Sequence, residues 1–490
     1  MENENHLIQQ RKQKLNDIKD KGVNPYAHRY EKKDYALDMQ TKYSQLKKEE
    51  KTKDKVKIAG RLMSLRRMGK ASFAHVSDVT GKIQLYLSQD ILGKEDYKFL
   101  KKLDIGDFIG VEGIVFATRT GEVTVEVKKF VLLTKSLRPL PEKFHGLQDQ
   151  EIRYRKRYLD LIMNPKVKDV FNKRTQIIHA MREFLVNDGY VEVETPILQS
   201  LYGGTNARPF ESYLNALKMK VYMRISDELY LKRLIAGGYE KVFEFCPDFR
   251  NEGVDKTHNP EFLQMETMCA YADYMDNMDF FEKMIEFIVK KVHKTTKVKY
   301  QDKTLDFKKP WNRLTMFAAI KKYTKYDLTK SDLAEASKAA KELGLQITND
   351  MMWGEILNLI FEEKVEEHLI QPTIIYDFPA IISPLAKKKE DDPRFVERFE
   401  PFVNGWELGN VYSELNDPEL LRENFKHQRE MAKKGDLEAQ PTDDDFIECM
   451  EYGMPPTSGI GIGVDRLVML LTDSASIRDV ILFPFMKPEK

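Results

Sequence analysis

The sequence predicts an α+β chain of several domains, and three observations carry that reading. From Val56 to about Thr134 the chain is a series of short alternating strands broken by glycines, the texture of a small all-β unit. Beyond Pro139 and Pro141, helical and strand-like stretches alternate through to the C-terminus. The chain has 490 residues and is 42% hydrophobic, enough to bury a large core spread over two to three domains.

Residues 1–50 read as a polar helical extension. Residues 1–57 carry 15 Lys/Arg against 10 Asp/Glu, which suits either a solvated helical face or a loose contact with an RNA backbone. Residues 51–137 contain five strand-like runs: Lys57–Leu62, Ser72–Val76, Lys82–Leu87, Phe108–Val115 and Val123–Val127. Five short strands at this spacing suit a five-stranded Greek-key barrel of the oligonucleotide-binding (OB) type. Residues 138–150 read as a linker, and 151–490 as one mixed domain with a helix near Asp169–Asn187. Within it, residues about 312–370 are helix-rich and read as an insertion. Neither an internal repeat nor a low-complexity tract is visible.

Composition narrows the classes. No apolar run approaches the ~20 residues that span a membrane, and the start lacks the apolar segment of a secretory signal. The three cysteines, Cys246, Cys269 and Cys449, are too few and too scattered for a disulfide framework or a zinc site, so a cytoplasmic location is expected. A net charge of +1 makes no overall case for nucleic acid.

Several stretches carry chemistry. Phe249-Arg250-Asn251-Glu252-Gly253 and Thr257-His258-Asn259-Pro260-Glu261-Phe262 read as two antiparallel strands joined by a polar loop. Period-two alternation puts Phe262, Gln264, Glu266 and Met268 on one face, with Arg250 and Glu252 expected on the same face of the preceding strand. The run Gly459-Ile460-Gly461-Ile462-Gly463-Val464-Asp465-Arg466 would bring backbone close to a ligand and ends in an arginine. In Arg398–Glu414, Asn404-Gly405 signals a two-residue hairpin. Phe402 would then oppose Glu407, placing Glu400 and Glu407 on one face, a carboxylate pair that suits Mg²⁺ and phosphate oxygens. Asn410, Tyr412 and Glu414 share a face but are out of phase with Glu407, so a bulge at Gly409 is needed to bring all of them to one site.

With Gly189-Tyr190-Val191-Glu192-Val193-Glu194-Thr195-Pro196, these runs resemble the three signature motifs of class II aminoacyl-tRNA synthetases, in the right order. The resemblance is closest to the lysyl-tRNA synthetases of subgroup IIb and runs along nearly the whole chain. It includes Arg157-Tyr158-Leu159-Asp160-Leu161, Gly203-Gly204-Thr205-Asn206-Ala207-Arg208-Pro209-Phe210, Glu228-Leu229-Tyr230-Leu231-Lys232-Arg233-Leu234 and Ser413-Glu414-Leu415-Asn416-Asp417. It implies a catalytic domain with an antiparallel sheet flanked by helices, a homodimer built partly on Gly189–Pro196, and the substrates ATP, L-lysine and tRNA(Lys).

The resemblance also implies residue roles. Arg250 and Arg466 would be catalytic. Arg250 would meet the α-phosphate and the substrate carboxylate, with Glu252, His258, Asn259, Phe262, Glu407 and Arg466 completing the ATP site. Phe262 and Arg466 would enclose the adenine. Glu400 and Glu407 would hold Mg²⁺. Gly204 and Glu228 would receive the α-amino group of lysine. Asn410 and Tyr412 would flank its stem, and Glu266 and Glu414 would face its ammonium. In the barrel, Phe73 and Gln84 match positions that read the middle anticodon base, with Arg66 as a phosphate partner. The sequence departs from the family at Met268, where a tyrosine is usual, at Trp406, and at Cys246-Pro247-Asp248.

Three rivals are weighed. An aspartate or asparagine synthetase would want cationic or amide groups where this chain has Glu266 and Glu414. A protein-lysylating paralogue would lack the barrel. A catalytically dead RNA-binding regulator would have lost some of Arg250, Glu400, Glu407 and Arg466.

Overall fold

The computed structural model describes residues 2–141, 147–433 and 441–489, and the chain divides into two compact units, Met1–Gln148 and Asp149–Lys490. Part of the expected linker, residues 142–146, lies outside the described residues.

In the first unit, strands β1 (Lys51–Met68), β2 (Ala71–Ser77), β3 (Lys82–Ser88), β4 (Phe108–Ala117) and β5 (Val123–Thr134) close into a barrel of order β1-β2-β3-β5-β4. Alternation does the work here. On β2, Ala74 and Val76 point into the core, while Ala71, Phe73 and His75 face outward and stay half-exposed. Helix α1 (Glu2–Lys19) belongs to the same unit, because Ile18 joins Ile58, Leu85 and Val111 in the barrel's hydrophobic cluster. Part of the basic excess of this extension is already paired, Lys14 with Asp104 at 2.5 Å and Lys32 with Asp78 at 2.7 Å.

The second unit is built on one large sheet. Its strands are β6 (Val191–Glu192), β7 (Lys241–Phe249), β8 (Glu261–Ala270), β9 (Asn312–Thr315), β10 (Thr373–Pro379), β11 (Phe395–Val403), β12 (Trp406–Glu407), β13 (Gly409–Ser413) and β14 (Thr457–Gly463). The order is β9-β10-β11-β13-β14-β8-β7-β6, with β12 pairing β11. The centre is antiparallel as expected, but each edge carries a parallel pairing, β9 with β10 and β7 with β6. One face is covered by helices α2 (Pro165–Asn187) and α4 (Tyr274–His293), with α8 (Val464–Leu471) beside them. They bury Met181, Phe281, Ile285 and Leu467 with Met265, Val411 and Ile460 of the sheet. The other face stays open enough to hold the pocket described below. Helix α3 (Glu228–Ala236) stands at its rim.

The helix-rich segment expected at about 312–370 begins with strand β9 and continues as α5 (Met316–Thr324), α6 (Leu333–Glu342) and α7 (Trp353–Lys364). Their apolar faces pack with Phe378 and Phe402 into a separate cluster. Among the described residues, no helix is long and apolar enough to cross a membrane.

Candidate active site

A cavity of about 470 Å³ opens on the uncovered face of the large sheet, within the size range of small-molecule sites. It is lined by Gly204, Glu228, Arg250, Glu252, His258, Asn259, Phe262, Glu266, Glu400, Glu407, Asn410, Tyr412, Glu414 and Arg466, so residues spread over 263 positions of sequence meet in one place. The barrel residues Arg66, Phe73 and Gln84 form a different surface.

Two local devices make this convergence possible. The first is the hairpin: Asn404 and Gly405 take φ of +58° and +73°, the paired left-handed geometry of a tight two-residue turn. Phe402 then lies opposite Glu407. The second is a bulge. Register moves by one residue between Glu407 opposite Phe402 and Val411 opposite Phe399. Leu408 breaks the strand there, and the shift brings Asn410, Tyr412 and Glu414 to the same side as Glu407.

One expectation is corrected. Arg250 and Glu252 do not lie on a strand face, because β7 ends at Phe249 and they belong to the following loop. Phe262 and Glu266 do share a face of β8, and the loop carries Arg250 back over it. The Arg250 guanidinium lies 5.0 Å from the Phe262 ring centre, and its Nε donates to Ile225 O at 3.3 Å. Arg466 lies elsewhere in the cavity: Nη1 donates to Glu407 O at 2.9 Å and is 3.5 Å from Glu407 Oε2, while Nη2 is 3.4 Å from His258 Nε2. His258 is held from behind by Asp255, with Nδ1 2.8 Å from Oδ2. This half of the cavity is cationic and aromatic, suited to phosphates and a flat heterocycle.

A second region is crowded with carboxylates. Glu400, on β11, contacts Arg398, and Glu407 faces it from β12. Burial, with repulsion from Glu407 and Glu366, pushes Glu400 up to about 8 despite Arg398. Burial and the charges of Glu362 and Glu407 push Glu366 up to about 7. Such an all-oxygen, like-charged donor set fits a hard divalent cation. Glu362 and Glu366, with Asn358, reach the cavity from α7 and the turn after it. They were missed, although Asn358 and Glu362 share a face of α7 at a spacing of four, with Glu366 in the turn just beyond it.

The third region is a buried slot. Glu228, Glu266 and Glu414 are each less than 10% exposed. Glu266 accepts from Gln264 Nε2 at 2.7 Å. Tyr412 donates its hydroxyl to Glu228 Oε2 at 2.5 Å. Lys232, also missed, puts Nζ 2.5 Å from Glu228 Oε1 and 2.5 Å from Glu414 Oε2. The legible signal was the four-residue spacing from Glu228 on one helix. Burial raises the pKa of Glu266 well above the carboxylate range and that of Glu414 to about 8. Arg398 was missed as well; its Nε donates to Asn410 Oδ1 at 2.9 Å. Of the departures, Met268 lines the slot, whereas Trp406 packs edge-on against Tyr300 on the other side of the sheet.

On the barrel, Phe73 stays half-exposed and lies outside the core cluster. Its ring is 5.2 Å from Tyr86, which is 6.0 Å from Phe116, so three aromatics form a row on the outer face. Arg66 is exposed and directly opposite Phe73. Gln84 donates to Glu122 at 2.7 Å and accepts from Thr124 at 2.9 Å, which fixes its amide beside that row.

Comparison with known proteins agrees with this division. Residues 149–487 match the family of class II tRNA synthetases (D, K and N), and residues 56–133 match the OB-fold nucleic acid binding domain. A sheet of this kind with an arginine-rich, carboxylate-lined cavity is thus the catalytic domain of a class II tRNA synthetase. Among curated relatives, the chain is 50% identical over 485 residues to the lysine–tRNA ligase of Carboxydothermus hydrogenoformans, covering 99% of this chain and 98% of that protein. It is 51% identical over 490 residues to the lysine–tRNA ligase of Staphylococcus haemolyticus, covering 99% of each. The chain belongs to the lysine–tRNA ligase family of class II tRNA synthetases.

Proposed function

We propose that this chain activates L-lysine with ATP to lysyl-adenylate and transfers the lysyl group to tRNA(Lys). In the first step a lysine carboxylate oxygen bonds to the α-phosphorus, and the bond to pyrophosphate breaks. No general base is needed, since the nucleophile is already ionised, so alignment and charge neutralisation carry the rate. In the second step a ribose hydroxyl of the tRNA takes the acyl group and AMP leaves.

Arg250 is the residue that bridges the α-phosphate and the lysine carboxylate, and Arg466 encloses the adenine with Phe262. Phe262 offers a ring face to adenine, His258 the outer phosphates, and Glu252 and Asn259 the nucleoside side. Mg²⁺ held by Glu400 and Glu407 would neutralise phosphate charge as pyrophosphate departs. Gly204 and Glu228 receive the α-amino group, while Asn410 and Tyr412 flank the stem. The single observation that carries the assignment is the slot of Glu228, Glu266 and Glu414. A neutral or acidic side chain would leave Glu266, the carboxylate of the slot that Lys232 does not pair, without a countercharge, a penalty that can support discrimination of about 10⁴.

The aromatic row of the barrel, with Arg66 and Gln84, is assigned to the anticodon. Activity on the cytoplasmic tRNA pool follows from that substrate. A homodimer is assigned to the edge around Gly189–Pro196, where Val191, Ile197 and Leu198 stay exposed beside the short edge strand β6. Charging of tRNA with labelled lysine, aspartate and asparagine in parallel tests the reading. Lysine alone should be transferred, and transfer of either of the others at a comparable rate overturns it.

A further inference from the structure

A second cluster adjoins the slot, and neither substrate uses it. Asp227 lies at the N-cap of α3, and Cys246 and Asp248 point to the pocket face of β7. Each of the three offers one ligand atom within 4.8 Å of the other two. Cys246 Sγ is 3.1 Å from Asp227 Oδ1 and 4.0 Å from Asp248 Oδ2. All three residues are 0% exposed. Asp227 Oδ2 and Asp248 Oδ1 are buried without a hydrogen-bond partner. Arg224 Nε is 3.4 Å from Asp248 Oδ1, but this arginine is also committed to Glu244 at 2.6 Å and to Pro247 O at 2.9 Å. Two carboxylates and a thiol therefore share a dry space in which Arg224 is the cation in contact and Arg250 acts on Asp248 from farther off, an arrangement that burial strongly disfavours.

We propose that Asp227, Cys246 and Asp248 bind one divalent cation of the Zn²⁺ class. A thiolate with carboxylate oxygens is a donor set that Zn²⁺ accepts, whereas Mg²⁺ avoids sulfur. Glu266, the adjoining buried carboxylate on β8, stays with the slot, so the fourth position is open toward it. Three anionic donors leave one surplus negative charge on a bound dication, and Arg224 stands beside it. The cation ties the Arg224–Glu228 segment to strand β7. That segment supplies Ser226 and Glu228 to the pocket wall and its Ile225 O accepts from Arg250 Nε, so the metal positions the amino-acid slot together with that arginine.

The site is distinct from the Glu400/Glu407 pair, and its test needs no turnover, so its failure leaves the lysine reading intact. The full-length protein, purified after expression in zinc-supplemented medium and dialysed, is assayed for zinc by emission spectroscopy. It is then exchanged with Co²⁺ and its absorption spectrum recorded. About one equivalent of zinc per chain is expected, with a thiolate-to-cobalt charge-transfer band. Both should vanish in Cys246→Ser, and zinc content should fall about tenfold or more in Asp248→Asn. Cys449→Ser and Cys269→Ser should keep the band, which assigns the thiolate to Cys246 even if Cys246→Ser does not fold. Zinc-free protein whose cobalt spectrum shows no charge-transfer band overturns the proposal, as does a band that survives in folded Cys246→Ser.

Discussion

Lys232 and Glu414 form a buried ion pair at the side of the slot, Nζ 2.5 Å from Oε2, with both side chains 1% exposed. Lys232 holds Glu228 equally closely. The chain thus keeps a resident cation against two of the three buried carboxylates of the slot. With all three ionised, Glu228, Glu266 and Glu414 exceed Lys232 and Arg250 by one negative charge. Free lysine carries one net positive charge, so its binding offsets that excess among these five groups.

Removing one anion should upset that balance. Glu414→Gln is expected to raise the KM for lysine by about tenfold or more, since a charged hydrogen bond is worth roughly 1.5–3 kcal/mol. It also leaves Lys232 with Glu228 as its remaining anionic contact. The KM for ATP should stay within about twofold, because Glu414 does not touch the nucleotide half. Steady-state kinetics in both substrates separates the two, and a change confined to ATP would mean that the slot is misassigned.

Gly459 makes the slot's floor. A Cβ there would lie 2.5 Å from Glu414 Oε1 and 2.8 Å from Met268 Sδ. Gly459→Ala should therefore displace Glu414 and weaken lysine, again sparing ATP. Its thermal melt should move by only a few degrees, since a clash of this kind costs about 1–3 kcal/mol. Unchanged lysine kinetics in a folded Gly459→Ala protein would contradict the geometry.

Glu400 gives a pH dependence with a defined sign. Its folded pKa is raised from the ordinary 4.5 to about 8, so the folded metal-free protein keeps a proton that the unfolded chain has lost between those values. Its contribution to stability is present below 4.5 and falls away as pH rises to about 8. Mg²⁺ competes with that proton. Mg²⁺ affinity, measured by calorimetry with a non-hydrolysable ATP analogue, should rise with pH and level off above about 8. Glu400→Gln should abolish the slope, and a flat profile in the parent protein would remove Glu400 from the metal site.

Phe73→Ala is expected to raise the KM for tRNA by roughly five- to 150-fold, the equivalent of about 1–3 kcal/mol of base stacking. Amino-acid activation should not change, because Phe73 lies in the other unit and outside the catalytic cavity. Equal tRNA kinetics with and without the ring would reassign Phe73 to barrel packing.

Much of this architecture is visible along the chain because it is periodic. The inward Ala74 and Val76 and the outward Phe73 alternate plainly, and Asn404-Gly405 specifies its own turn. The bulge after Glu407 was inferable only as a conflict of phase between Glu407 and Asn410, which the register shift resolves. Arg250 was legible as a motif residue but not in its placement, since nothing local marks the end of a strand at Phe249. The spacing of Lys232 from Glu228 was legible, but the place of Lys232 and of Glu366 in the site was not, for another reason. Their partners, Glu414 and Glu400, come from distant strands, and only tertiary folding brings them within reach.

Selective activation of lysine can be read from ATP–pyrophosphate exchange measured separately with each of the twenty amino acids. Lysine should support exchange, with Mg²⁺ required, and the other nineteen should remain near background. Exchange that runs best with aspartate or asparagine would exclude lysine as the substrate, and exchange undiminished in chelator would exclude a role for the metal.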